Sequence, residues 1–118
     1  MRCTFENGTH SGFPVLFVSG EFDGTVSSEF DAAVNALGDG TARCCIVDLL
    51  DVPYSEAAPL RSLLLAHRAY LEAGRVLAVV CCAPFVDKLV ELADFDVQMH
   101  VFHGLDAAAE YLSASSLC

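Results

Sequence analysis

The groups able to do chemistry in this chain are its carboxylates, four histidines and six cysteines. Paired acid–base work needs two carboxylates close together in environments that push their proton affinities apart. Asp23 and Asp48 have positional meaning, because each follows or ends an apolar run that reads as a strand. In parallel α/β folds the carboxyl ends of strands carry function. Asp23, Asp48 and Glu56 are therefore candidates to cluster on one edge of a sheet. The plainer reading, favoured here, is that Asp23 and Asp48 satisfy backbone donors in their turns.

The histidine spacing supports no catalytic site. His100 and His103 lie three apart in one expected strand, "QMHVFH" (98–103), and face opposite sides. His67 falls on the apolar face of a helix, where a satisfied core histidine is the common case, and His10 falls in an expected turn. The cysteines contain no CxxC. Cys44–Cys45 and Cys81–Cys82 are adjacent pairs inside apolar runs. Neighbours on a strand point to opposite faces, so neither pair easily chelates one ion. The expectation is reduced, structural core thiols, with Cys3 and Cys118 more exposed near the ends. A Cys–His nucleophile pair would need tertiary proximity that the spacing does not supply. No metal, cofactor or catalytic residue is expected. There is no GxGxxG and no Walker loop; "GEFDG" (20–24) sits where a phosphate cradle would, but Glu21 and Asp23 would repel an anion. That segment is expected to be a turn leading into a capped helix.

One further stretch has the position of a site. In "DLLDVPYSEAAPLRSLL" (48–64) an apolar strand ends in a polar turn, and a proline opens a helix. A phosphate, a ligand or a regulatory hydroxyl could sit there. Yet its centre is Glu56, Ala57, Ala58 and Pro59, which offers almost no reactive chemistry.

The elements that must hold these residues alternate. "PVLFVSG" (14–20) reads as a strand. Val26, Phe30, Ala33, Val34 and Leu37 share one helical face over 26–37, with Thr25 or Ser27 as cap and Gly38 as stop. "CCIVDLL" (44–50) is a continuous apolar run, as in a buried parallel strand. Residues 59–73 read as a helix with Leu60, Leu63, Leu64, His67 and Leu71 inward, ended by Gly74. "VLAVVCC" (76–82) is a second buried strand. A helix over 84–93, a last strand over 98–103 and a closing helix over 105–112 follow. A strand over 2–7 can pair antiparallel with 14–20 across "NGTHSG". The terminal "SASSLC" is expected to fray. Together these predict an α/β fold, a mostly parallel sheet with right-handed crossovers and one antiparallel N-terminal strand. The length, 118 residues, suits one domain that buries a core without staples.

Composition narrows the partners. The net charge of −10, with only six scattered Lys and Arg, argues against nucleic acid and anionic membrane surfaces. The N-terminus "MRCTFENGTH" lacks an apolar h-region, and the longest apolar run, 76–86, is too short to span a bilayer and contains Pro84. The expectation is a soluble, cytoplasmic domain.

The order of these motifs resembles the STAS domain, the fold of bacterial anti-sigma factor antagonists. The resemblance runs from Val15 to Leu112. "VLFVSGEFD" (15–23) matches the family strand ending in Gly-Glu-Leu-Asp, and "CIVDLLDVPYSE" (45–56) matches the strand and aromatic turn before its phosphorylation loop. "LLLAHRAYLEAGRVLAVV" (63–80), "PFVDKLVELADFD" (84–96) and "VFHGLDAAAEYL" (101–112) match the units that follow. The resemblance implies sequential strands with βα winding, and a noncatalytic module that binds a protein. In the family cycle the partner is an anti-sigma factor that doubles as a kinase for one serine. The family loop reads Asp-Ser-Ser-Gly. Here Glu56 keeps the acidic position, Ala57 stands at the phosphorylated serine, and Ala58 and Pro59 complete the loop. The usual switch is therefore absent at Ala57. Ser55 is the alternative phosphorylation site, although a serine before a helix is more often a cap. The resemblance thus implies a partner-binding surface of Asp23, Tyr54, Ser55, Glu56, Ala57, Ala58 and Pro59. A small-ligand or nucleotide-binding STAS module using the same edge is the rival reading.

Overall fold

The computed structural model describes residues 3–52, 57–81, 100–116 and 118. Among these residues five strands form one sheet in chain order: β1 (Thr4–His10), β2 (Phe13–Ser19), β3 (Cys44–Asp51), β4 (Val76–Val80) and β5 (His100–Phe102). β1 and β2 are antiparallel and the remaining pairs are parallel. Among the described residues the α-helices are α1 (Ser27–Ala36), α2 (Ala57–Glu72) and α3 (Leu105–Ala114). The expected α/β architecture is thus present. The helix expected over 84–93, and residues 98 and 99 of the expected last strand, lie outside the described residues. Among the described residues no helix is long and apolar enough to cross a membrane.

Strand alternation sorts the core into two layers. Leu16, Val18, Cys45, Val47, Leu49, Leu77 and Val79 pack with Phe30 and Val34 of α1 and Leu63 and Tyr70 of α2. On the other face, Val15, Cys44, Ile46, Val76, Ala78 and Val80 pack with Ala108 and Leu112 of α3. Both faces of β3 are therefore covered, which is why it reads as an unbroken apolar run.

Several boundaries differ from the sequence expectation. The hairpin turn is only Ser11–Gly12, both at positive φ (51° and 85°), so β1 extends to His10 and His10 is not in a turn. Asn7–Gly8 resembles a turn signal but lies in the strand. Gly8 is there for space: a Cβ would come within 2.7 Å of Cε2 of Phe17, whose ring covers that position. On α2, Leu71 is 46% exposed, and Tyr70 takes the inward position. His103 lies past the end of β5.

The end of α2 fixes a small buried network. Gly74, at φ 74°, lets the Arg75 N–H reach the Tyr70 carbonyl (2.7 Å) and the Gly74 N–H reach that of Leu71 (3.1 Å). This is a Schellman motif, and it turns Arg75 back over α2. Its guanidinium lies 4.0 Å from the centroid of the Tyr70 ring. Its Nε donates to the Ala42 carbonyl at 2.7 Å. The Tyr70 hydroxyl donates to the Val34 carbonyl, also at 2.7 Å. Burial pushes that hydroxyl well above its ordinary pKa, so it remains a donor.

The expectation of wholly reduced thiols fails at one pair. Cys44 and Cys118 form a disulfide with their Cα atoms 5.7 Å apart. Residue 118 is thereby tied to β3, where a frayed end was expected. Cys3 and Cys45 are free thiols.

Candidate functional site

The carboxyl edge of the sheet is built from the turns that leave β2 and β3. The Gly20 N–H donates to the Asp51 carbonyl (3.2 Å), which ties the two turns together. Phe22 and Val52 are buried in the first core layer and anchor each turn from below. The register slips between Phe17–Asp48 and Ser19–Asp51, so β3 carries one extra residue at its end. Such a bulge bends a strand and re-aims its side chains. Leu50, beside it, is 45% exposed.

Asp23 caps the short 3-10 turn at Gly24–Val26 that leads into α1. Its carboxylate accepts from the Thr25 N–H (2.9 Å) and from the Thr25 hydroxyl. Those two bonds hold its pKa below the usual carboxylate range. The cap is thus Asp23, where the sequence pointed to Thr25 or Ser27; α1 has no side-chain cap of its own. The acceptor wins because the first turn begins at Gly24, one position before Thr25.

Asp48 lies within β3 and not at its end. Alternation puts it on the same face as Ile46, in register with Phe17 and Val80. It is 7% exposed, and its carboxylate accepts the Leu50 N–H at 2.8 Å. Burial pushes its pKa up, partly offset by that bond. Asp23 belongs to the first layer's side and Asp48 to the second, so the two do not gather into an acid–base pair. Both instead satisfy backbone donors.

A hollow of about 390 Å³ opens beside Asp23, lined by Cys3, Thr4, Glu21, Asp23, Thr25, Val26 and Glu29. Burial, with Asp23 and Glu29 nearby, raises the Cys3 pKa, which keeps that sulfur protonated and a poor nucleophile. Among the described residues no group of three His, Cys, Asp or Glu side chains converges as metal ligands would. His67 is buried, its ring edge-on to His100 at 5.7 Å, and His100 in turn packs on Tyr111.

Of the loop residues singled out from sequence, Tyr54, Ser55 and Glu56 lie outside the described residues. Ala57, Ala58 and Pro59 form the first turn of α2. The helix therefore starts at Ala57, two residues before the expected start at Pro59. Pro59 fits there because the first-turn N–H groups have no intrahelical acceptor. α2 packs against the Gly24–Val26 turn, so the segment after Asp23 and the helix opened by Ala57 are neighbours. Sequence reading missed an exposed stripe on α2. Arg61, Leu65 and Arg68 share one outward face at spacing i, i+4, i+7, and Leu65 is 61% exposed. Helical periodicity referred to the buried face would have found it.

A family model for the STAS domain matches residues 4–108. No curated protein matches the sequence. Among solved structures, an anti-sigma factor antagonist from Mycobacterium paratuberculosis superposes with a TM-score of 0.80 at 21% identity, covering 95% of each chain. The unphosphorylated form of the anti-sigma factor antagonist SpoIIAA matches with a TM-score of 0.70 at 13% identity, covering 95% of this chain and 100% of that one. The phosphorylated form of the Bacillus cell fate determinant SpoIIAA gives 0.67 at 14% identity, covering 92% and 99%.

Proposed function

Because the chain belongs to the STAS domain family, we propose that it is a noncatalytic regulatory module of the anti-sigma factor antagonist kind, which binds a protein partner without phosphate control at residue 57. The partner surface comprises Asp23, Tyr54, Ser55, Glu56, Ala57, Ala58 and Pro59, continued by the outer face of α2. The partner it would suit is an anti-sigma factor with kinase activity. The observation that carries this reading is that Ala57 opens α2 at the carboxyl edge of the sheet. A phosphate at a helix start would add nearly two negative charges beside a positive dipole end. Alanine has no hydroxyl to receive one, so this surface stays in its unmodified state. Leu65, exposed between two arginines further along the same helix, supports a protein ligand. The hollow beside Asp23 does not favour a nucleotide, since Glu21, Asp23 and Glu29 line it with like charge.

The test is Ala57→Asp, titrated calorimetrically against the anti-sigma partner captured from the source cell. A carboxylate at a helix start gains about 0.3–1 kcal/mol, so the fold tolerates it. Buried unpaired in an interface, the same charge costs about 2–5 kcal/mol. The expected result is an unchanged Tm with at least roughly tenfold weaker binding. Equal affinities would move the binding surface elsewhere. Phosphopeptide mapping with kinase and ATP should find nothing at residue 57 and only substoichiometric phosphate at Ser55. Full occupancy at Ser55 would mean that the switch has moved and is not lost.

A further inference from the structure

We propose that Cys44 and Cys118 form a reversible thiol–disulfide modification site, through which low-molecular-weight thiols and disulfides release or lock the chain that follows α3. The two residues are bonded with Cα atoms 5.7 Å apart, within the ordinary span of a disulfide. Selection of Cys44 over its neighbour follows from strand alternation. Cys44 belongs to the layer under α3, the helix that leads to residue 118. Cys45 points to the opposite layer, fully buried, with an Arg75 guanidinium nitrogen 3.8 Å from its sulfur. Only one of the two adjacent thiols can meet the chain end.

The bond is asymmetric in access. Cys44 is 5% exposed, whereas Cys118 is exposed. An attacking thiolate therefore reaches the Cys118 sulfur. In the opening direction a glutathione thiolate attacks Cys118 Sγ, the Cys44–Cys118 bond breaks, and Cys44 leaves as a thiolate that takes a proton. A second glutathione thiolate attacks the glutathione sulfur of the mixed disulfide. It releases glutathione disulfide and the Cys118 thiolate, which is also protonated. Two glutathione thiols are oxidised for one protein disulfide reduced, and closing is the same sequence reversed with glutathione disulfide as oxidant. Bonds accessible to such exchange are the labile and regulatory ones.

The site lies away from the partner surface. Cys44 begins β3, and the chain runs on toward Ala57 from the other end of that strand, so the strand's eight residues separate them. The lock acts on the layer of Cys44, Val76, Ala108 and Leu112 and on the hold of α3. It stands or falls independently of the partner reading.

The experiment equilibrates the purified chain in glutathione buffers of varied ratio, quenches by alkylation, and reads intact mass, disulfide peptide map and Tm. In oxidised buffer the expected result is loss of two hydrogens mapped to Cys44–Cys118, with Tm higher by about 10 °C. With roughly a hundredfold excess of reduced over oxidised glutathione, the bond should open and the gain in Tm should disappear. Cys118→Ser, at an exposed terminal position, should show neither the mass loss nor the Tm gain and should melt like the reduced wild type. Four results would each overturn the proposal: no bridge in oxidised buffer, a bridge mapped to another pair, a bridge that resists the reduced buffer, or equal Tm in both buffers.

Discussion

Replacing Arg75 by methionine should cost this domain a large part of its stability. The Schellman turn at Gly74 aims Arg75 at three things at once: the Ala42 carbonyl at 2.7 Å, the Leu37 carbonyl at 3.3 Å and the face of Tyr70 at 4.0 Å. A hydrogen bond from a charged donor contributes about 1.5–3 kcal/mol, and a half-buried cation over an aromatic ring about 0.5–1 kcal/mol. The Leu37 contact is too long to add much. Methionine keeps the packing stem but leaves the Ala42 carbonyl without this donor, so the expected loss is about 2–4 kcal/mol. At about 4 °C per kcal/mol for a chain of this size, Tm falls by about 8–16 °C. Arg75→Lys should recover only part, because one ammonium cannot reach the carbonyls and lie flat on the ring together. Tyr70→Phe should cost only about 1 kcal/mol, since the Val34 carbonyl keeps its bond from the Leu37 N–H. Urea unfolding of the four proteins, monitored by circular dichroism, gives these differences directly. If Arg75→Met falls within about 0.5 kcal/mol of wild type, an ordinary surface change, the network is ornamental and the reasoning fails.

Gly8→Ala should lower stability by about 1–3 kcal/mol, the range for overpacking, because the new Cβ displaces the Phe17 ring; thermal melts that match wild type would show that the ring moves freely. Asp48→Asn should raise Tm at neutral pH. Burial raises the Asp48 pKa, so its favourable contribution is complete below the unfolded value near about 3.9 and is lost as pH rises through the folded value. The gap between variant and wild type should therefore open on going from pH 4 to pH 8, and a gap that is constant with pH would contradict the burial argument.

The sequence carried the layering of this fold well and the local chemistry unevenly. Cys44–Leu49 is apolar at every position but Asp48, so a strand covered on both faces was legible directly, and Gly74 announced the end of α2. Tyr70 was harder. Leu71 is the better hydrophobe, but helical geometry turns position 70 inward, and the Tyr70 hydroxyl finds a buried carbonyl there. Asn7–Gly8 imitated a hairpin turn because glycine has two uses, and here clearance for Phe17 decides. The disulfide was invisible for a different reason. Adjacent cysteines in an apolar run look like core thiols, and only the return of the chain after α3 supplies a partner. At the candidate site, Asp23 was recognisable by its place after a strand. That it would cap the turn ahead of Thr25 and Ser27 depended on where the first turn begins, which residue preferences do not fix.

The order of the strands has a consequence for how the molecule comes into being. Because β1 to β5 lie side by side in the sequence in which they are synthesised, each new strand adds to an edge that already exists. Among the described strands none waits for a partner from the far end of the chain, although each parallel pair must still close a crossover before it forms. The second face is the exception. α3 comes last, yet its Asp106 meets His10 across 96 residues at 2.8 Å, and Cys118 meets Cys44 across 74. Until that helix is made, Val15, Ile46, Ala78 and Val80 have nothing from α3 to cover them. A ribosome-bound chain stalled before residue 105 would carry that apolar layer without its helix, and this is the stage at which a chaperone would find it.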